Sequence, residues 1–210
     1  MPRKKDTAGA CMDAALSLAA ISGWNNVTLY DIAAEAGMPL PDVVETIGGR
    51  SGVLKTLAAR ADAAMLAAVD EDWADEGVRD RLFALLMARF DYLKDRREGV
   101  RAILAGLPGD PMAALQAASG PGMRSMKLAL EAAGVPASGL RGALRARALG
   151  LAYAAVVRVF LDDDSDDLSR TMAALDRRLG RLQSLAERFL LNRPAFRRPA
   201  EETASDTLDD

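Results

Sequence analysis

Residues 28–47 predict two short α-helices joined by a tight turn, and this arrangement limits what the rest of the chain can build. Thr28 is a good N-cap residue, and Asp31 three positions later resembles the acidic partner of a capping box. The first helix stops at Gly37, because glycine accepts the left-handed conformation that often ends a helix. Prolines suit the first turn of the second helix, residues 40–47, and a glycine pair ends it.

This outline fits two kinds of structure. In a DNA-reading helix-turn-helix, the helices cross at a steep angle and the second helix enters a major groove. Ala33, Ala34 and Ala36 would let the helices approach closely, and Gly37 would supply the turn. Ordinary αα-hairpins share this outline, so on its own it leaves both interpretations open.

The rest of the chain also predicts helices, and no segment is convincing as a strand. Alanine and leucine dominate and β-branched residues are sparse, which favours helix. We therefore predict an all-α fold of about nine helices, with an N-terminal three-helix head followed by a helical bundle that contains dimerisation helices. Ten segments are candidates for these helices: residues 6–22, 29–36, 40–47, 51–70, 78–94, 97–106, 111–118, 122–133, 138–161 and 165–191.

These helices divide the chain into three predicted parts. Residues 1–55 form a three-helix head with the helix-turn-helix outline, and residues 56–191 form a helical domain. Residues 192–210 are rich in proline, arginine and acids and poor in large apolar side chains, so we predict a disordered tail.

The last two predicted helices carry long apolar stripes. Apolar residues recur every three or four positions, which places them on one side of each helix. Such stripes could fill the core of a monomer or leave a side free for a four-helix dimer interface, and their length favours the dimer. The stripe residues are Leu144, Ala148, Leu151, Ala155 and Val159, then Met172, Leu175, Leu179, Leu182, Leu185 and Phe189.

Composition argues against an enzyme. The chain has no histidine and one cysteine, Cys11, which removes imidazole-based nucleophilic chemistry and leaves no set of ligands for a structural zinc ion. We therefore expect no catalytic residues, cofactor or metal. A lone cysteine, the lack of a secretory leader and the lack of a bilayer-spanning apolar run are consistent with a cytoplasmic protein.

A series of short motifs runs through residues 8–57. They are Ala14-Ala15-Leu16, Gly23-Trp24, Val27-Thr28-Leu29, Asp31-Ile32-Ala33, Ala36-Gly37, Arg50 and Val53-Leu54. In their order and spacing they resemble the TetR family of ligand-responsive transcriptional regulators. The resemblance implies an all-α homodimer with operator DNA as the partner, in which residues 1–55 are the DNA-binding domain and residues 56–191 hold a ligand cavity and the dimerisation helices.

This resemblance yields a set of candidate DNA contacts. Arg50 and Lys55 are the best candidates for phosphate contacts, and Thr28 could donate a hydrogen bond at a helix N-terminus. The predicted DNA-binding residues are Thr28, Pro39, Leu40, Asp42, Val43, Thr46, Arg50 and Lys55.

The second helix departs from the family pattern. Val44 stands where the family usually has a tyrosine that contacts a phosphate, and Asp42 and Glu45 are repelled by the DNA backbone. Through Lys55 the chain has five cations and six anions, fewer cations than a DNA-binding head usually has. The basic residues 3–5 could act as an arm that reaches phosphates or as a solubilising tail.

Soft apolar side chains mark a candidate ligand site in the bundle. Methionine suits an adaptable cavity for an apolar small molecule or lipid, although such side chains also form ordinary cores. The candidate ligand-binding residues are Met87, Phe90, Met112, Met123, Met126, Tyr153 and Phe160.

A second resemblance supports a rival function. Residues 152–179 contain an acidic turn that lacks the glycine and distal glutamate of an EF-hand, and its acids and Ser165 are better placed to cap the last helix. This segment also resembles the TetR-fold accessory proteins of ubiquinone biosynthesis. That resemblance implies a non-enzymatic protein that binds lipid or isoprenoid and keeps the fold without reading DNA.

Overall fold

The computed structural model describes residues 6–69, 73, 75–109 and 120–191, and within these residues the chain forms nine α-helices and no strand. The all-α prediction is confirmed. Short 3-10 turns follow α1 and α6. The helices are α1 (Thr7–Ser22), α2 (Leu29–Ala36), α3 (Leu40–Ile47), α4 (Arg50–Leu66), α5 (Val78–Lys94), α6 (Arg97–Gly106), α7 (Pro121–Ala132), α8 (Gly139–Leu161) and α9 (Ser169–Leu191).

Several predictions lie outside the described residues. They are the helix at 111–118, the basic residues 3–5, the tail at 192–210, the ligand candidate Met112 and the side chain of Phe189.

The two ends of α2 are formed by the residues that predict them, Thr28 with Asp31 at the start and Gly37 at the end. The side chain of Thr28 accepts a hydrogen bond from the backbone N–H of Asp31, and the Asp31 carboxylate accepts one from the backbone N–H of Thr28. This reciprocal pair is a capping box with aspartate in the glutamate position. Gly37 ends α2 in the left-handed region, with φ of 62°, which a side chain with a Cβ would resist.

The last helix begins at Ser169, later than predicted, because the acidic turn forms its own structure ahead of it. The carboxylate of Asp163, completely buried, accepts hydrogen bonds from Ser165 and from the backbone N–H and hydroxyl of Thr171. Burial acts to raise the pKa of Asp163, but these hydrogen bonds outweigh it and lower the pKa to about 2. The acidic turn therefore caps α9 through Asp163, as well as through the Ser165 hydroxyl, which accepts from the N–H of Ser169.

The head has its own apolar core between α1, α2, α3 and the start of α4. Ile32 of α2 and Val43 of α3 are completely buried in it. Trp24, which follows α1, is also buried in this core. Burying an aliphatic side chain of this size contributes roughly 1.5–3 kcal/mol. Tertiary packing therefore holds α2 and α3 in place, since helices of eight residues are unstable alone.

A second core lies in the bundle formed by α4 to α9. Its centre is Phe90 of α5, whose ring stacks on Tyr153 of α8 at 4.9 Å between centroids and lies 5.1 Å from the ring of Phe160. Leu86 and Leu149 are buried around these rings.

Head and bundle are joined by α4 and α6. Helix α4 runs without a break across the predicted domain boundary at residue 55, and Ile103 of α6 inserts into the core of the head. At Gly99 the backbone of α6 lies so close to α1 that a Cβ would sit 2.7 Å from the Cβ of Leu16. The division at residue 55 stays a prediction.

Candidate nucleic-acid interface

Helix α3 has one side fixed in the head and the other side open to solvent. Val43 is completely buried and Ile47 is 7% exposed, whereas Asp42, Val44 and Glu45 are exposed. This contradicts the prediction that Val43 contacts DNA, because a side chain that fills the core cannot also reach a base edge.

Most of the other predicted DNA contacts are accessible. Pro39, Leu40 and Lys55 are exposed, as is Asp42, while Thr46 is half-buried. The Thr46 hydroxyl donates a hydrogen bond to the backbone carbonyl of Asp42 at 2.6 Å, so it is already engaged within α3. A DNA-binding role for these residues stays a prediction.

The Thr28 hydroxyl is also engaged. It donates to the Asp31 carboxylate at 2.6 Å while accepting from the Asp31 backbone N–H. The hydrogen bond from the Thr28 hydroxyl is the main reason that the pKa of Asp31 lies below its usual range. The hydrogen bond from the Thr28 backbone N–H lowers this pKa further. Thr28 would have to release Asp31 before its hydroxyl could donate to a phosphate, which the sequence pattern did not indicate.

Arg50 lies against the head rather than reaching into solvent. Its guanidinium carbon is 4.7 Å from the centroid of the Trp24 ring, and its Nη2 donates to Oδ1 of Asn25 at 3.3 Å. Asn25 in turn donates from Nδ2 to the carbonyl of Gly106 at 3.2 Å, at the end of α6. The best candidate for a phosphate contact is thus linked through Asn25 to the bundle.

Tyr30 is an exposed aromatic donor that the sequence interpretation missed. It lies in the first turn of α2 and is 72% exposed, while Ile32 and Ala33 of the same helix are buried. Its position could have been found by helical phase, because a residue two positions from Ile32 lies on the far side of the helix. The Tyr30 hydroxyl is a candidate replacement for the phosphate donor that Val44 lacks.

The predicted ligand site is a packed part of the bundle. Phe90 and Phe160 are completely buried in contact with each other, and Met126 is 3% and Met87 8% exposed. The structure therefore brings these candidates together with Tyr153 as core side chains, whereas Met123 lies half-buried beside them. A ligand here would have to displace or move core side chains.

Four helices of the bundle are connected by a buried polar cluster made of Asp62, Arg89, Ser125 and Tyr153. Arg89 of α5 forms an ion pair with Asp62 of α4 and donates from Nε to the Tyr153 hydroxyl of α8 at 3.1 Å. Ser125 of α7 donates to the other oxygen of Asp62 at 2.9 Å. Since each member is a single polar residue in a long helix, nothing in the sequence distinguishes it from a surface position.

Charge and hydrogen bonding keep the Arg89 guanidinium of this cluster ionised. Burial acts to lower the pKa of the Arg89 guanidinium, but Tyr153 and Asp62 outweigh it and raise that pKa above its usual range. Burial raises the pKa of the Tyr153 phenol against the opposing effect of Arg89. Arg89 is therefore a permanent cation, and Asp62 is the group that balances it.

Helix α8 presents an exposed apolar side. Leu140 is 88%, Leu144 69% and Leu151 75% exposed, and Leu185 of the neighbouring α9 is 51% exposed. The stripe on α9 is divided, because its residues Leu175 and Leu179 are buried in the bundle. Leucines this exposed at helical spacing are typical of an interface between protein chains.

Two features are missing from the part of the chain that the structure describes. No helix there is long and apolar enough to cross a membrane. The same residues hold no group of three or more His, Cys, Asp or Glu side chains that could bind a metal ion.

Comparison with solved structures shows similarity to TetR-family transcriptional regulators. A TetR transcriptional regulator from Nitrosomonas europaea matches 84% of this chain and 98% of its own, with a TM-score of 0.69 and 25% sequence identity. One from Rhodococcus sp. RHA1 matches 84% of this chain and 94% of its own, with a TM-score of 0.58 and 16% identity. A complex of SmeT with triclosan matches 84% of this chain and 91% of its own, with a TM-score of 0.51 and 20% identity.

Comparisons with models of protein families and with curated proteins gave no match.

Proposed function

Because the chain has the fold of the TetR-family transcriptional regulators, we propose that it is a DNA-binding transcriptional regulator that responds to a small apolar ligand. The observation that carries this proposal is the position of α3 in the head. Val43 and Ile47 fix one side of α3 in the core, while Asp42 and Glu45 are open to solvent on the other. A recognition helix needs this arrangement, since it must be held firmly and still reach base edges.

Phosphate contacts come from cations beside α3 in this proposal. Lys55 is exposed on α4 and can act as a point charge. Arg50 can serve the same purpose once it leaves Trp24 and Asn25. The proposed DNA-binding residues are Thr28, Pro39, Leu40, Asp42, Thr46, Arg50 and Lys55.

Two copies of the chain would associate through α8 and α9. The exposed Leu140, Leu144, Leu151 and Leu185 supply the apolar surface, and a two-fold axis would place each patch against its equivalent. The resulting dimer would present two α3 helices to successive major grooves, which are about 34–36 Å apart along DNA.

The effector would enter the bundle, around Phe90, Tyr153, Phe160 and the methionines Met87, Met123 and Met126. In the SmeT–triclosan complex, a protein of similar fold holds triclosan, which supports this proposal. Since the rings of Phe90 and Phe160 are in contact here, binding has to move core side chains, and α4 carries that movement toward the head.

The DNA-binding proposal is tested by titrating the protein against its own upstream DNA at several salt concentrations. Specific binding should weaken steeply with salt, and Lys55→Ala should reduce the salt slope by roughly 0.9 if Lys55 neutralises one phosphate. Lys127→Ala is the matched control, because Lys127 is an exposed lysine on α7 of the bundle. Equal slopes for the two variants would remove Lys55 from the interface, and absence of specific binding at low salt would refute the proposal.

A rival function is favoured by the acidic α3. With Asp42 and Glu45 exposed, and with Val44 in place of a phosphate donor, the chain could be a non-enzymatic lipid- or isoprenoid-binding protein of ubiquinone biosynthesis that does not read DNA. Native mass spectrometry of the extracted protein separates the two functions. A co-purifying isoprenoid or phospholipid, together with no sequence-specific DNA binding, would support the rival.

A further inference from the structure

We infer that α3 reads its DNA site through cytosine amino groups and thymine methyl groups, because its exposed side chains are the carboxylates of Asp42 and Glu45 and the apolar Leu40, Pro41 and Val44. The inference rests on the proposed DNA-binding function and adds the base chemistry that this head selects.

The orientation of α3 follows from its two anchors. Val43 and Ile47 face the core, and successive residues of an α-helix turn by about 100°. Glu45 lies two positions from each anchor and therefore points away from the head. Pro41 and Asp42 flank it one turn closer to the N-terminus of α3, where recognition helices make their base contacts.

Ionised carboxylates restrict which bases can be contacted. Asp42 and Glu45 offer only hydrogen-bond acceptors. In the major groove guanine presents two acceptors, and thymine O4 is a further acceptor, so both repel a carboxylate. Cytosine presents its N4 amino group as a donor, whereas adenine places the acceptor N7 beside its N6 donor. A carboxylate therefore favours cytosine.

The remaining exposed side chains of α3 are apolar. Leu40 is 40% and Val44 45% exposed nearer the core side of the helix, and Pro41 is exposed in the first turn on the side that carries Glu45. Apolar side chains recognise the C5-methyl group that thymine alone carries into the major groove. If the cytosine and the thymines are neighbours, the half-site that α3 selects is rich in pyrimidines on one strand.

Helix α3 has no side chain that is typical of contacts with guanine or adenine. Leu40–Ile47 contains no arginine, lysine, asparagine or glutamine, the residues that pair with guanine and adenine. The hydroxyl of Thr46 is bonded to the carbonyl of Asp42 at 2.6 Å. The carboxylates also add specificity by repulsion, because a guanine opposite Glu45 would bring two acceptors together.

The test is selection of binding sites from random duplexes by the full-length protein, followed by the same selection with Glu45→Gln. The expected wild-type half-site carries cytosine at one fixed position beside thymines. Glu45→Gln should change the preferred base at that position to adenine, with a change of about tenfold in the cytosine-to-adenine ratio. Replacing the neighbouring thymines by deoxyuridine should weaken wild-type binding about fivefold, since only the methyl groups are removed.

Glu35→Gln is the matched control. Glu35 is exposed on α2, so this variant removes the same charge without touching α3. It should strengthen binding to all duplexes and leave the base preference unchanged. A selected site that has guanine at the fixed position, or an unchanged preference in Glu45→Gln with binding retained, would overturn the inference while the proposed function stands. No binding to any duplex at low salt would overturn both.

Discussion

Asp163 is buried within the acidic turn that precedes α9, and its ionised form is the one that the turn stabilises. Its pKa of about 2 lies below the roughly 3.9 of an aspartate in an unfolded chain. Because the folded-state pKa is the lower one, this carboxylate adds stability above about pH 4 that is lost as the pH falls toward 2. The difference between the two pKa values corresponds to roughly 2–3 kcal/mol of stability.

We expect Asp163→Asn to lower the free energy of unfolding by about 2–3 kcal/mol at neutral pH, because an amide cannot accept from Ser165 and Thr171 as a carboxylate does. Urea unfolding at pH 7 and at pH 3 measures this effect, which should shrink at the lower pH. Asp164→Asn is the control, since the Asp164 side chain is 97% exposed in the same turn. Equal losses in both variants would contradict the assigned role of Asp163.

Asp62 balances a cation that is almost completely buried. The side chains of Arg89 and Asp62 are only 9% and 13% exposed, so Asp62→Asn should cost about 3–5 kcal/mol of unfolding free energy by leaving Arg89 without a charged partner. Asp176→Asn breaks the exposed pair with Arg79 and should cost no more than about 1 kcal/mol. Chemical denaturation of the two variants makes the comparison.

A double-mutant cycle separates the Asp62–Arg89 pair from its surroundings. If the two side chains act as a pair, Asp62→Leu combined with Arg89→Met should lose much less stability than the sum of the single losses. Additive losses would show that each side chain acts independently.

At the scale of helices, α6 and α1 approach so closely at Gly99 that no side chain fits between them. A Cβ at Gly99 would lie 2.7 Å from the Leu16 Cβ and 2.8 Å from its carbonyl oxygen. Gly99→Ala should therefore destabilise the chain by about 1–3 kcal/mol, measured by thermal or urea unfolding. Gly150→Ala is the matched control, because its nearest neighbour, Met126 Cγ, is at an ordinary 3.6 Å. That variant should be neutral or stabilising by up to about 1 kcal/mol, and similar losses at both positions would contradict the close approach.

The sequence predicted the helices well where the signal is local. The capping box at Thr28 and the turn at Gly37 fix the ends of α2, and both depend only on residues within one turn. The start of α9 was misplaced because Asp163 reaches eight positions forward to Thr171, a contact that helical periodicity does not reveal.

The candidate site was predicted less completely, since it depends on contacts between distant residues. Val43 is a predicted DNA contact but faces the core, and the stacking of Arg50 on Trp24 joins positions far apart in the chain. The buried pair of Asp62 and Arg89 was not predicted, because charged residues in a helix are usually exposed.

For the whole molecule, dimerisation should depend on the exposed side of α8. We expect Leu144→Glu combined with Leu151→Glu to give a monomer at micromolar concentrations, because each dimer would bury four carboxylates in an apolar interface. Analytical ultracentrifugation measures the mass in solution. Ile21→Glu is the control, since Ile21 is 86% exposed on α1. If the wild-type chain sediments as the proposed dimer, a double variant that sediments in the same way would exclude α8 as the interface.

The stacking of Arg50 on Trp24 has a spectroscopic consequence. The sequence contains two tryptophans: Trp24 lies 4.7 Å from the Arg50 guanidinium in the head, and Trp73 donates its indole N–H to the carbonyl of Ala132 at 2.9 Å in the bundle. A cation moving off an indole ring changes the colour and intensity of its emission. In a Trp73→Phe chain, Trp24 is the remaining tryptophan. Its fluorescence therefore reports whether Arg50 stays on the indole ring while DNA or ligand is added.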